Sequence, residues 1–266
     1  MDTTAAISAN ELADAAFGSD PGRWPLPAAT GAEALWLRAV AAGGQGRYAC
    51  AIVDLDRLAR TPRPAAISSM MLSTRASFLR QLGWHDLARA WDGRAAAAAD
   101  TAEAAGDALV GLAADALGVG RYDASERALE RAAESVGAAG SPRQEVRLAW
   151  VSAELAMFLG NGATAVGHAE RAVRLAADVV SVRHRVKSQI VLAAALCSSG
   201  DLAAARREGD AALADTQRYG LVPLQWAIAS MLADIGSETR PEAEIRAVRD
   251  GCAQTVVRWG GVWRPR

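Results

Sequence analysis

The sequence predicts an all-α fold in which about six helical hairpins stack in a row as an α-solenoid. Three observations carry that prediction. Sixty-three of the 266 residues are alanine, which has the best intrinsic helix propensity and leaves helices thin enough to pack closely. Residues are 51% hydrophobic but only 5% aromatic, so the core has to be assembled from small side chains. Glycine also recurs at a near-constant interval. Gly46, Gly83, Gly120, Gly160, Gly200 and Gly236 are separated by 37, 37, 40, 40 and 36 residues, a period typical of repeat architectures.

Each glycine sits in a similar setting. Seven positions before it stand Ala39, Ala76, Ala113, Ala153, Ala193 and Ala229. Five positions after it stand Ala51, Ala88, Ser125, Ala165 and Ala205, with Pro241 breaking the series. Twelve positions after come Leu58, Ala95, Ala132, Ala172, Ala212 and Val248, all apolar. The pattern describes a helical hairpin. Glycine ends one helix in a left-handed cap, and the next starts at once, with Asp123, Thr164 and Asp201 as helix-start residues. Small residues on both sides of the turn let the two backbones approach. One hairpin cannot bury its own apolar face, so successive hairpins must stack.

The chain divides accordingly. Residues 1–30 carry four acids and no base before residue 21, then RWPLP at 23–27, and are expected to form an acidic, mostly irregular lead. Residues 31–250 hold the repeats, the last being weakened by SETRP at 237–241. Residues 251–266 are expected to form a C-terminal cap or tail. Its Arg258, Trp259, Trp263, Arg264 and Arg266 lack any acid, and the expected role is to pack back on the last helix.

The segments LGVGRYDASERALERAAE and LGNGATAVGHAERAVRLA resemble the tetratricopeptide (TPR) repeat, as do GGQGRYACAIVDLDRLART and SSGDLAAARREGDAALAD. They share small residues before the turn, then G-x-Y-x-x-A or a close variant, and a later alanine. The resemblance is degenerate, because the spacing exceeds the 34 residues usual for the family. It implies a right-handed superhelix with a concave groove. The whole chain also resembles actinobacterial TPR-like proteins, and that resemblance carries no activity with it.

Family register places groove-facing residues thirteen, ten, six and three positions before the turn glycine. In the second repeat these are Met70, Ser73, Ser77 and Arg80; in the fourth, Arg147, Trp150, Glu154 and Met157. In the fifth they are Lys187, Ile190, Ala194 and Cys197, and in the sixth Trp226, Ser230 and Ala233. Trp150, Arg147, Glu154, Lys187, Trp226 and Arg80 are the predicted partner-binding residues. Together they suit a peptide or helix carrying an acidic and an apolar group. Arg38 and Arg75 occupy core-like positions where a charge needs a partner: either they lie in the groove with the register locally shifted, or, the preferred reading, they pair with Asp54, Asp92 or Glu103. RHRVK at 183–187 is the densest basic patch, at the start of a predicted helix; it could meet phosphate or an acidic partner, and the preferred reading is solvated charge.

Other chemistries find little support in the residues. The net charge of −1 and the lack of any recognisable binding motif argue against nucleic acid. GGQG at 43–46 lacks the lysine and preceding strand of a phosphate loop. His85, His168 and His184 are isolated in sequence, and His85 stands where other repeats have a packing tyrosine. No cofactor, metal or catalytic set is expected. Cys50, Cys197 and Cys252 read as buried small hydrophobes of a reducing compartment. No apolar run suggests a membrane span, and no leader is recognised at the start, so a cytoplasmic protein is expected.

The expectation is a non-enzymatic scaffold or adaptor that binds a protein or peptide of unknown identity in its concave groove. The alternative is a stand-alone, ligand-sensing TPR-like regulator of transcription. Self-association through exposed end faces is a third possibility.

Overall fold

The computed structural model describes residues 3–265, which form thirteen α-helices and no strand. After α1 (Thr3–Phe17) the helices pair as hairpins. These are α2 (Ala32–Gly44) with α3 (Tyr48–Ala59), α4 (Ala65–Gln81) with α5 (His85–Ala98), and α6 (Ala102–Gly118) with α7 (Tyr122–Ala139). Then follow α8 (Pro142–Phe158) with α9 (Gly162–Ala177), α10 (Val182–Ser199) with α11 (Leu202–Arg218), and α12 (Val222–Ile235) with α13 (Glu242–Arg258). Each even-numbered helix from α2 to α12 touches the next even-numbered one, forming a continuous inner layer. Each odd-numbered helix from α3 to α11 packs on its own partner and on the even helix that follows. No described helix is long and apolar enough to cross a membrane.

The periodic glycines are the hairpin turns. All six have positive φ, between 73° and 91°. At the first five, the amide after the glycine donates to the carbonyl five residues back, as Arg121 does to Ala116 at 2.9 Å. This is the Schellman closure, which satisfies carbonyls that a helix end would otherwise leave bare. The turn at Gly236 is looser, and Asp210 organises it by accepting from the Ser237 hydroxyl at 2.6 Å and the Glu238 amide at 2.8 Å.

The flanking small residues form the hairpin seams. All six residues at the position seven before the glycine are 0% exposed, as are the five from Ala51 to Ala205 on the far side. The position twelve after is likewise 0% exposed from Leu58 to Ala212, and Val248 is partly buried. The glycine itself serves the backbone alone at Gly120, where an added Cβ would meet nothing within 4 Å. Gly120→Ala is therefore expected to cost about 1–2 kcal/mol, the penalty for a left-handed alanine. At Gly260 the added Cβ would fall 2.6 Å from that of Ala49, so Gly260→Ala should cost more. Urea midpoints of the two variants check the order, and equal losses would refute it.

Both chain ends differ from expectation. Half of the lead is helical, because its alanine-rich segment runs without proline to residue 21 and buries Leu12, Ala15 and Ala16. Residues 1 and 2 lie outside the described residues. At the other end α13 continues to Arg258, tolerating Gly251 on an exposed face, so the tail starts at Trp259.

The tail does fold back on α13, where Trp263 Nε1 donates to Ala253 O at 3.3 Å. It also reaches the start of the chain. Ala49 N donates to Trp259 O at 2.9 Å, Trp84 Nε1 to Val262 O at 2.7 Å, and Arg264 N to Leu82 O at 2.9 Å. Arg47 is held between the rings of Trp24 and Trp259, at 3.8 and 3.9 Å. Val182 N donates to Gly18 O at 3.0 Å, tying the lead to α10. First and last hairpins thus meet. Arg266 lies outside the described residues.

Two further expectations are corrected. Arg38 pairs with Asp54, Nε to Oδ2 at 2.8 Å, but Arg75 pairs with Asp56, while Asp92 and Glu103 pair with Arg80 and Arg143. Cys50 is exposed, Cys197 partly buried and Cys252 buried.

Candidate functional site

The inner layer surrounds a cavity of about 510 Å³. All six predicted binding residues, Arg80, Arg147, Trp150, Glu154, Lys187 and Trp226, stand on its wall. The register behind them extends to the other repeats. Thirteen positions before the turn lie Met70, Asp107, Arg147, Lys187 and Pro223, and ten before lie Trp36, Ser73, Val110, Trp150 and Trp226. Met157, Ile190, Ala194, Cys197, Ser230 and Ala233 are not on the wall. The cavity draws on the C-terminal parts of α4 and α6 but on the N-terminal parts of α10 and α12, so the later positions of the last repeats fall outside it. Met157, Ile190 and Ala233 pack between helices instead.

Phe17, at the end of α1, forms part of the floor. Its ring lies 5.5 Å from Trp36 and 6.3 Å from His184, centre to centre. Trp150 stacks on His184 at 5.2 Å and donates from Nε1 to Ser188 Oγ at 2.8 Å. Trp36 Nε1 donates to Thr74 Oγ1 at 3.0 Å. Both indoles are therefore fixed by a hydrogen bond as well as by packing. Trp226, further round the wall, is backed by Trp263 of the tail at 4.4 Å.

Charge is concentrated beside these rings. Asp107 accepts from Arg143 Nη2 on Oδ2 at 2.8 Å and pairs through Oδ1 with Arg147. Burial alone would raise this carboxyl, but Arg143 and Arg147 hold it well below the ordinary carboxylate range. Arg183 has no carboxylate partner among the described residues, only a 3.4 Å contact from Nη1 to Val40 O. Burial, reinforced by Arg143 and Arg147, brings its guanidinium down to about 10. His184 is 3% exposed, with Nδ1 2.8 Å from Ser181 Oγ. Burial first, then Arg183, Arg143 and Arg147, drives its imidazole well below the usual value, so the ring is neutral.

Elsewhere on the wall the ions are paired with one another. Arg80 donates to Asp92 at 2.7 and 2.9 Å and to Asp115 at 3.1 Å. Lys187 Nζ donates to Glu154 Oε1 at 3.0 Å.

No protein-family model matches the chain, and no curated protein aligns with it significantly. The site is therefore read from its own geometry.

That geometry corrects one expectation and adds residues. RHRVK is not a solvated run: Arg183, His184 and Lys187 all face the cavity, and Arg185 donates to Val179 O and Val180 O at 3.0 Å. His85 is also on the wall, packed where a Cβ at Gly118 would fall 2.2 Å from its Nδ1. Arg143 and Arg183 each stand seventeen positions before a turn glycine. That is one helical turn beyond the thirteenth position, on the same face, so the register already pointed to them. Glycines inside helices are the second signal, since each costs about 1 kcal/mol relative to alanine. Gly44 makes room for Arg183, Gly111 for Asp92, and Gly43 for Phe78, with added Cβ atoms falling 2.1–2.3 Å from those side chains. The GGQG segment accordingly belongs to the end of α2 and shapes the wall.

Proposed function

We propose that this chain is a non-enzymatic, ligand-sensing protein of the TPR-like class. In this reading its hairpins wind as a right-handed solenoid whose concave face is closed into a cup by the two chain ends. The observation that carries it is that the inner helices and Phe17 together line one cavity of about 510 Å³ that holds both fixed indoles and the guanidinium cluster. Small-molecule sites span about 300–1,000 Å³ and combine apolar walls with a few placed polar groups. Indoles fixed by their own hydrogen bonds provide a preformed surface, which limits the ordering cost of binding.

The test is a thermal-shift screen of cellular metabolites at millimolar concentration. A ligand present at one hundred times its Kd stabilises by about 2.7 kcal/mol, which for a chain this long raises Tm by roughly 5–10 °C. Trp150→Ala is expected to abolish the shift. If no metabolite moves Tm, while a protein partner binds wild type and is lost on Trp150→Ala/Arg147→Glu, the chain is a scaffold instead.

A further inference from the structure

We infer that the cavity takes an organic anion, a carboxylate or phosphate on a flat apolar body, with Arg183 as its charge anchor. The inference rests on the reading of the cavity as a ligand site and adds the ligand's chemistry. The floor has three guanidiniums, Arg143, Arg147 and Arg183, and one buried carboxylate, Asp107. Both oxygens of Asp107 are already occupied by Arg143 and Arg147. The second acid near Arg143, Glu103, lies 3.3 Å away with its side chain 49% exposed, and it does not reach Arg183. Arg183 is thus left with one long contact to a carbonyl. The adjacent imidazole of His184 carries no negative charge in either protonation state and cannot serve as a counter-ion.

Even partial burial of a charge without a partner is costly, and Arg183 is part-buried yet held in place. Its guanidinium rests against the backbone of Gly44, where any Cβ would come within 2.3 Å of Nη1. It also lies 5.9 Å from the ring of Phe17. A planar fork of donors fixed at the floor matches the oxygens of a carboxylate or phosphate. Phe17, Trp36, Val40 and Trp150 supply the apolar and aromatic surface beside it, which suits a flat body rather than a bare ion.

The full chain is titrated calorimetrically with naphthalene-2-carboxylate, 2-naphthyl phosphate and the neutral isostere 2-naphthamide, at matched ionic strength. At least one anion is expected to bind tenfold or more tightly than the amide, and the better of the two identifies the head group. Arg183→Met should bring anion binding down to the level of the amide and so erase that preference. Gly44→Ala should reduce it by displacing the guanidinium without removing its charge. Ligand-free Arg183→Met is expected to melt no lower than wild type, because it loses a charge that has no partner. A lower Tm would make Arg183 a structural residue and overturn the inference. Equal binding of anion and amide would overturn it too, while leaving the ligand cavity standing. Binding of no probe at millimolar concentration would bring both down.

Discussion

Asp107→Ala is expected to destabilise the protein by about 3–5 kcal/mol, the cost of removing one partner from a buried ionic cluster. Asp107 is 6% exposed and serves two guanidiniums with its two oxygens. Without it, Arg143, Arg147 and Arg183 share the floor with no buried anion. Domains of ordinary stability have about 5–15 kcal/mol in total, so the loss threatens the fold itself. Asp107→Asn keeps the shape and removes the charge, and should be nearly as damaging.

The pH dependence of this cluster has a definite sign. The folded carboxyl lies below its unfolded value of about 4. Its stabilisation is therefore complete above pH 4 and is lost as the pH falls through the folded value. Urea unfolding at pH 7 and pH 3, followed by helical circular dichroism, should show an acid-side loss in wild type that Asp107→Asn diminishes. A variant within 1 kcal/mol of wild type at pH 7 would mean that other groups hold Arg143 and Arg147 in place.

The repeat is legible in the sequence because its physical demands recur. A left-handed turn needs glycine, and a close seam needs a small residue, as Gly120 with Ala113 and Ser125 illustrates. The same register leads to Trp150 and Lys187 on the cavity wall. The meeting of the two chain ends is not legible in this way. The contacts between the chain ends involve α1 and residues 259–264, which occur once each and so leave no period to detect. The register reaches Arg183 too, seventeen positions before Gly200, but not its lack of a counter-ion. A cation at the start of a helix is ordinarily solvated, and its part-buried setting comes from Phe17 of the lead together with Val40 and Gly44 of α2. Arg75 chooses Asp56 over Asp54, two acids on opposite sides of one helix. That choice depends on how successive hairpins rotate, and the extra residues between repeats alter this from any family pattern.

Arg80 supports the opposite pH signature. Asp92 and Asp115 are both 0% exposed, and Arg80 alone pairs with them. Burial raises both carboxyls more than Arg80 lowers them, and for Asp115 the neighbouring Asp92 adds to the rise. One oxygen of each, Asp92 Oδ1 and Asp115 Oδ2, has no hydrogen-bond partner. Two such carboxylates beside one cation favour retention of a proton. The folded values lie above the unfolded value of about 4, so the stability this pair contributes is greatest at low pH and declines as pH rises through the folded values. Asp115→Asn should flatten that decline and be at least as stable as wild type at pH 8. Arg80→Met leaves the two acids without their cation and is expected to cost about 3–5 kcal/mol at pH 8, with much of the loss recovered at pH 5 as both protonate. Urea midpoints at the two pH values decide the matter. A loss on Arg80→Met that is the same at both would show that packing of the arginine stem, rather than charge, is what the cluster contributes.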